Sequence, residues 1–195
     1  MLYIVSTPIG NLSDISLRAI EVLKNCYGER NEISFFVPDT NALLSNPKFE
    51  NWKFPAIKKF NIILIPQVLS ELDKLKIYHQ NESIKKKANS IIRRIKEYRR
   101  RGSLTKGVTI KKDCSKILAL ATEPNFKETL PWLDSDNSDD RILASFIEVI
   151  RSYPNSSVIL VTNDINLQNK IELILFSQLI HNIICCIYLI NKKDI

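Results

Sequence analysis

The chain has 195 residues, is 45% hydrophobic and 25% charged, and carries a net charge of +7. That length and balance suit one soluble globular domain whose core needs neither disulfides nor a structural metal. Its four cysteines (Cys26, Cys114, Cys185, Cys186) form no CxxC pair and have no His-x-x-x-His partner, which argues against zinc and for reduced thiols in a cytoplasmic protein.

LYIV (2–5) reads as a short strand followed by the turn TPIGN, and SDISLRAIEVLKN as a helix capped by Ser13 or Asp14. No signal peptide is expected, because MLYIVSTPIGNLSD lacks a basic n-region and an apolar h-region. Gly28 lies in a polar boundary segment. ISFFV (33–37) is the first buried strand, and a helix begins at Thr40 and breaks at Asn46-Pro47. NIILI (61–65) is the second strand, and Pro66 starts an amphipathic helix through QVLSELDKLK.

Residues 83–101 form a strongly basic helix with the apolar stripe Ile84, Ala88, Ile91, Ile92, Ile95 and Tyr98, ended by Gly102. Residues 74–116 hold fifteen Lys and Arg against three acids, a net +12 that leaves −5 for the remainder of the +7 chain. Such asymmetry points to a polyanionic partner. VTI (108–110) is a short strand candidate, and KILALA (116–121) fits strand or helix. Residues 122–138 are acidic and turn-rich. DDRILASFIEVIRSY (139–153) is a helix ended by Pro154-Asn155, SVILVT (157–162) is the third clear strand, and INLQNKIEL follows as a helix. The apolar run at 173–190 carries Gln178, His181 and Asn182 near its middle, so it reads as a last helix and an edge strand, IICCIYLI, without membrane insertion.

Alternating strands and helices predict an α/β domain with a parallel sheet covered on both faces, where ligands bind beyond the carboxyl ends of the strands. Asp39 and Asp164 follow strands. Asp139 and Asp140 open the helix before the third clear strand, and Glu71 lies about one and a half turns into the helix after NIILI. Taken singly, each acid has an ordinary role as a cap, turn residue or helix-dipole partner. Gathered at one sheet edge they would repel, and a divalent cation relieves that. The donors are all oxygens, so Mg²⁺ or Mn²⁺ fits better than zinc. Neither His79 nor His181 falls in a motif, which argues against a histidine-based ribonuclease.

VPDTNALL, IPQVLSELDKLK, DDRILASFIEV and VILVTNDINLQNK resemble PIN-domain ribonucleases, most nearly the PIN domain at the front of PhoH-like proteins, over roughly residues 33–170. The resemblance implies a three-layer α/β/α sandwich and Mg²⁺- or Mn²⁺-dependent cleavage of single-stranded RNA. It implies Asp39, Glu71, Asp140 and Asp164 as catalytic metal ligands, with Asp139 able to take the place of Asp140. Thr40, Asn41, Thr162 and Asn163 are the implied polar support. The chain has no GxxxxGK[ST], so the ATPase of PhoH-like proteins is not expected. LYIVSTPIGNLSDISLRAIEVLK is similar to the start of ribosomal-RNA 2′-O-ribose methyltransferases of the tetrapyrrole-methylase type, and that likeness stops near Lys24.

The expected organisation is a methyltransferase-like fragment at 1–30, a PIN-like domain at 31–190 and a tail at 191–195. Lys85, Lys86, Lys87, Arg93, Arg94, Arg99, Arg100 and Arg101 are the candidate RNA contacts on the basic helix; the plainer reading of that helix is a solvated face. Tyr78 and Tyr98 are candidates for base stacking, with a core role as the alternative. The expected function is an endoribonuclease on single-stranded RNA, cytoplasmic and without stable membrane association, and a homo-oligomer is left open. A catalytically silent RNA-binding module and a remnant methyltransferase are the competing readings.

Overall fold

The computed structural model describes residues 33–52, 57, 59–111, 115–121, 123–126, 132–154 and 156–176. The expected strand at 2–5, the helix after Ser13 and the edge strand IICCIYLI lie outside the described residues, as do most of the apolar C-terminal run and parts of the turn-rich segment at 122–138. Among the described residues five strands form one sheet: β1 (Ser34–Pro38), β2 (Phe60–Leu64), β3 (Val108–Lys111), β4 (Ser115–Ala119) and β5 (Val158–Val161), in the order β3-β4-β2-β1-β5. β1 pairs in parallel with β2 and β5, and β2 in parallel with β4.

Every residue of β1, β2 and β5 is buried, the mark of strands covered on both faces. The expected α/β sandwich around a parallel sheet is therefore present, with the sheet mostly parallel. One strand departs from it. β3 runs antiparallel to β4. Only three residues separate the two strands, and a parallel crossover needs about a dozen or more. KILALA, open between strand and helix, contributes β4.

The helices that lie within the described residues are α1 (Thr40–Ser45), α2 (Pro66–Tyr78), α3 (Glu82–Arg101), α4 (Ser138–Ser152) and α5 (Ile165–Phe176), with a 3₁₀ turn at Phe49–Asn51 that the sequence reading did not anticipate. Pro66 opens α2, where its missing N–H costs nothing. Asn81 caps α3 by accepting from the Ser83 N–H at 2.9 Å, and α2 packs along α3. Ala88, Ile91, Ile92, Ile95 and Tyr98 are buried, so the apolar stripe of α3 faces inward. Tyr98 packs on Phe49 with ring centroids 5.9 Å apart, which makes it a core residue. Tyr78 is exposed.

The strand order fixes where the chemistry belongs. From β1 the chain moves to β2 and β4 on one side, then crosses back to β5 on the other. The crevice beyond the carboxyl ends of β1 and β5 is thus a topological switch point. β1 anchors it: the Phe36 ring is fully buried and meets Phe60 edge-on at 5.3 Å. Phe36→Ala is expected to cost about 3–5 kcal/mol of unfolding free energy, read by urea denaturation. A loss below about 1 kcal/mol would contradict the central position of β1.

Candidate active site

Asp39 closes the β1 ladder, its N–H donating to the Val161 carbonyl at 3.0 Å, and caps α1 with Oδ1 accepting from the Ala42 N–H at 2.6 Å. Its other oxygen, Oδ2, accepts from the Thr162 hydroxyl. Thr162 Oγ1 in turn accepts from the Asp164 N–H at 2.9 Å. A single hydroxyl therefore ties the residues after β1 to those after β5. Asp39 and Thr162 are buried, while Asp164 is half-buried and Asn41 and Asn163 are exposed.

The residue after Asp39 makes the next link. Thr40 donates to Glu71 Oε2 on α2. Glu71 Oε1 accepts from Gln67 Nε2 at 2.9 Å and from the Ser138 hydroxyl at the start of α4. Gln67 also reaches Ser138 Oγ at 2.9 Å. Three hydroxyl and amide donors thus hold one carboxylate where α1, α2 and α4 meet.

Asn137 caps α4, its Oδ1 accepting from the N–H groups of Asp139 at 2.9 Å and Asp140 at 3.3 Å. The two acids then diverge. Asp140 is buried; its Oδ1 takes Lys170 Nζ at 2.6 Å and its Oδ2 takes the Asp134 N–H at 3.0 Å. Asp139 is half-buried and lies 3.9 Å from Lys170.

The electrostatics report the same gathering. Burial pushes the Asp39 carboxyl up to about 6. The Thr162 and Ala42 hydrogen bonds pull it down, and the charges of Asp164 and Glu71 push it further up. Asp139 is raised by burial first, is pulled back by Lys170, and is pushed up again by Asp164, Asp140 and Glu71. Asp164 and Glu71 therefore act as like charges on both Asp39 and Asp139.

Gln67, Ser138 and Lys170 were absent from the sequence reading. Gln67 stands four residues before Glu71 on one helix face, a signal present in the sequence. Ser138 directly precedes the acid pair. Nothing in the sequence links Lys170 to Asp140.

Among the basic residues, Arg94 is taken up by Glu50 in a half-buried ion pair. Lys85 pairs with Glu82 at 2.9 Å and Arg93 with Glu97 at 3.8 Å. Arg101 lies over the Tyr98 ring at 4.9 Å.

Among the described residues no three His, Cys, Asp or Glu side chains form a ready ligand shell for one ion. The donors on offer are carboxylate and hydroxyl oxygens, which suit a hard cation. Mg²⁺ in particular keeps several waters and needs only one or two direct carboxylates. The oxygens of Asp39, Glu71, Asp139 and Asp164 are thus donors of the kind a hard cation takes, without a closed shell around one point.

The model of the PIN domain family matches residues 36–173, most of the chain. The ribosomal RNA small subunit methyltransferase I of Erythrobacter litoralis (strain HTCC2594) is 76% identical over 25 residues, which are 13% of this chain and 9% of that protein. This chain thus spans less than a tenth of that relative's length. No helix among the described residues is long and apolar enough to cross a membrane.

A raised carboxylate weakens the fold as it ionises. The Asp39 contribution to stability is fully present below pH 3.8 and is lost as pH rises through about 6. In chelator-containing buffer, Asp39→Asn is expected to match the wild type near pH 4 and to exceed it at pH 7.5 by up to about 3 kcal/mol. Urea denaturation at the two pH values checks this. An Asn variant less stable than wild type at pH 7.5 would contradict it.

Proposed function

This chain belongs to the PIN domain family, and from that premise we propose that it is a metal-dependent endoribonuclease acting on single-stranded RNA. Members of the family are in general nucleases, and those nucleases generally use divalent metals. One observation carries the reading to this chain's own residues. Asp39, Glu71, Asp139 and Asp164, from four separate elements, gather at the carboxyl edge of the sheet, where burial first, and then the charges of Asp164 and Glu71, push Asp39 and Asp139 up. A fold keeps such an arrangement at a cost to its own stability, and a divalent cation relieves it.

Asp39 and Asp164 would hold the ion from β1 and β5, Glu71 from α2, and the Asp139–Asp140 pair from α4. The chemistry such an ion supplies is Lewis-acid activation of water and neutralisation of charge on the phosphodiester. The protein's part is positional. Thr162 fixes the Asp39 carboxylate and the backbone of Asp164 together. Thr40, Gln67 and Ser138 aim Glu71. Lys170 balances the charge of Asp140 and moderates that of Asp139. Asn41 and Asn163 stand at the rim of the site, where a polar substrate passes.

RNA as the substrate is supported by the family and by the +12 segment that contains α3. With Arg94 committed to Glu50, Lys86, Lys87, Arg99 and Arg100 are the candidate phosphate contacts on α3. Arg101, Lys85 and Arg93 take part only by leaving their present partners. The likeness of VPDTNALL and VTNDINLQNK to the PhoH-like branch, and a cytoplasmic location, belong to the same proposal. So does the division into a fragment at 1–30, a domain at 31–190 and a tail. A segment of 25 residues is too short to build a methyltransferase site, and no methylation is proposed.

The test is cleavage of a 5′-labelled single-stranded RNA in Mn²⁺ buffer, resolved on a gel. Asp39→Asn is expected to lower kcat by more than about 100-fold, since it removes a charge at the reacting centre. Cleavage by the variant at the wild-type rate would refute the assignment.

A further inference from the structure

Beside the acids lies a groove of about 660 Å³ lined by Asn41, Leu44, Ser45, Ile84, Lys87, Asn163, Asp164 and Ile165. It opens where α1, the N-terminal third of α3 and the β5–α5 connection meet. We propose that this groove is a nucleotide subsite that takes one unpaired base and its phosphate next to the cleaved bond. The inference rests on the nuclease reading for its substrate and adds the place where the strand is gripped.

Four features support it. The volume falls within the range of about 300–1,000 Å³ typical of small-ligand sites. Asp164 belongs both to the groove wall and to the acidic edge, so a ligand seated here has its next atoms at the reacting centre. The cation is available: Lys87 has no acidic partner among the described residues, unlike Lys85 with Glu82 or Arg94 with Glu50.

The remaining feature is the pairing of polar and apolar walls. Among the described residues nothing hydrogen-bonds to the side-chain amides of Asn41 or Asn163, each a donor and acceptor suited to a base edge. Ile165 is 58% exposed although it directly follows a site acid. With Leu44 and Ile84 it offers an apolar wall against which a base face can lie. A base held in a duplex cannot present both edge and face to such a groove. The subsite thus selects single strands by geometry, whereas the cations of α3 attract any polyanion.

The experiment is fluorescence anisotropy with the full chain in chelator-containing buffer, using a labelled eight-nucleotide oligouridine and an abasic oligonucleotide of the same length. Wild type is expected to bind oligouridine about tenfold tighter than the abasic strand, the scale of one base packed on a side chain. Ser45→Trp, which fills the groove, is expected to erase that preference. Ile165→Ser removes apolar wall at an exposed position, so it leaves the fold intact and is expected to reduce the preference severalfold. Lys87→Gln is expected to weaken both oligonucleotides and to lower the salt slope by about one. Equal binding of the two strands by wild type, absence of binding, or a preference unchanged in both Ser45→Trp and Ile165→Ser would overturn the subsite. Base-selective binding without Mn²⁺-dependent cleavage would sink the nuclease reading and leave the subsite standing. Cleavage together with base-blind binding would do the reverse.

Discussion

The Thr162 hydroxyl donates to Asp39 and accepts from the backbone of Asp164, holding the ends of two neighbouring strands in register at a point where both carry negative charge. Every other feature of the acidic edge extends this arrangement. Asp39 caps α1, which directs Thr40 at Glu71. Glu71 gathers Gln67 and Ser138, and so brings the start of α4, with its acid pair, to the same place. The donors of the network keep the carboxylates aimed, while Lys170 offsets charge only at the Asp139–Asp140 pair. That imbalance is the physical case for an ion.

The sheet explains why these residues meet. β1 lies between β2 and β5, all parallel, so the residues that follow these strands emerge on one side. A chain that simply alternates strand and helix has no crevice until the order reverses. Here the reversal falls beside β1, at Asp39. The buried faces of β1, β2 and β5 give the crevice a rigid floor. α3 adds the basic element, with its N-terminal third beside Asp164 and its apolar stripe locked inward.

Much of this was legible in the sequence, for physical reasons that also mark where legibility stops. Asp39 and Asp164 each follow a run of apolar residues, and a strand buried on both faces announces its own end. Glu71 was readable because Pro66 fixes where α2 begins and so where the sixth residue points. Asp139 and Asp140 were not separable. Neighbours on a helix differ by about 100° in direction, and only the positions of Lys170 and the Asp134 amide distinguish them. Lys170 was missed because the contact is tertiary, thirty residues away. Arg94 read as an RNA contact because Glu50, 44 residues earlier, sits in a segment with no helical or strand signature. The direction of β3 was missed because KILALA was left open between strand and helix; as a strand, its short distance from VTI allows only a hairpin.

The central claim is that the repulsion among these carboxylates is relieved by a bound divalent cation. Anomalous diffraction at the manganese edge from crystals soaked in Mn²⁺ tests it directly. The expected result is a peak within coordination distance of an Asp39 oxygen and of at least one oxygen from Asp164, Glu71 or the Asp139–Asp140 pair. A strong peak elsewhere on the molecule, with none at Asp39, would contradict it.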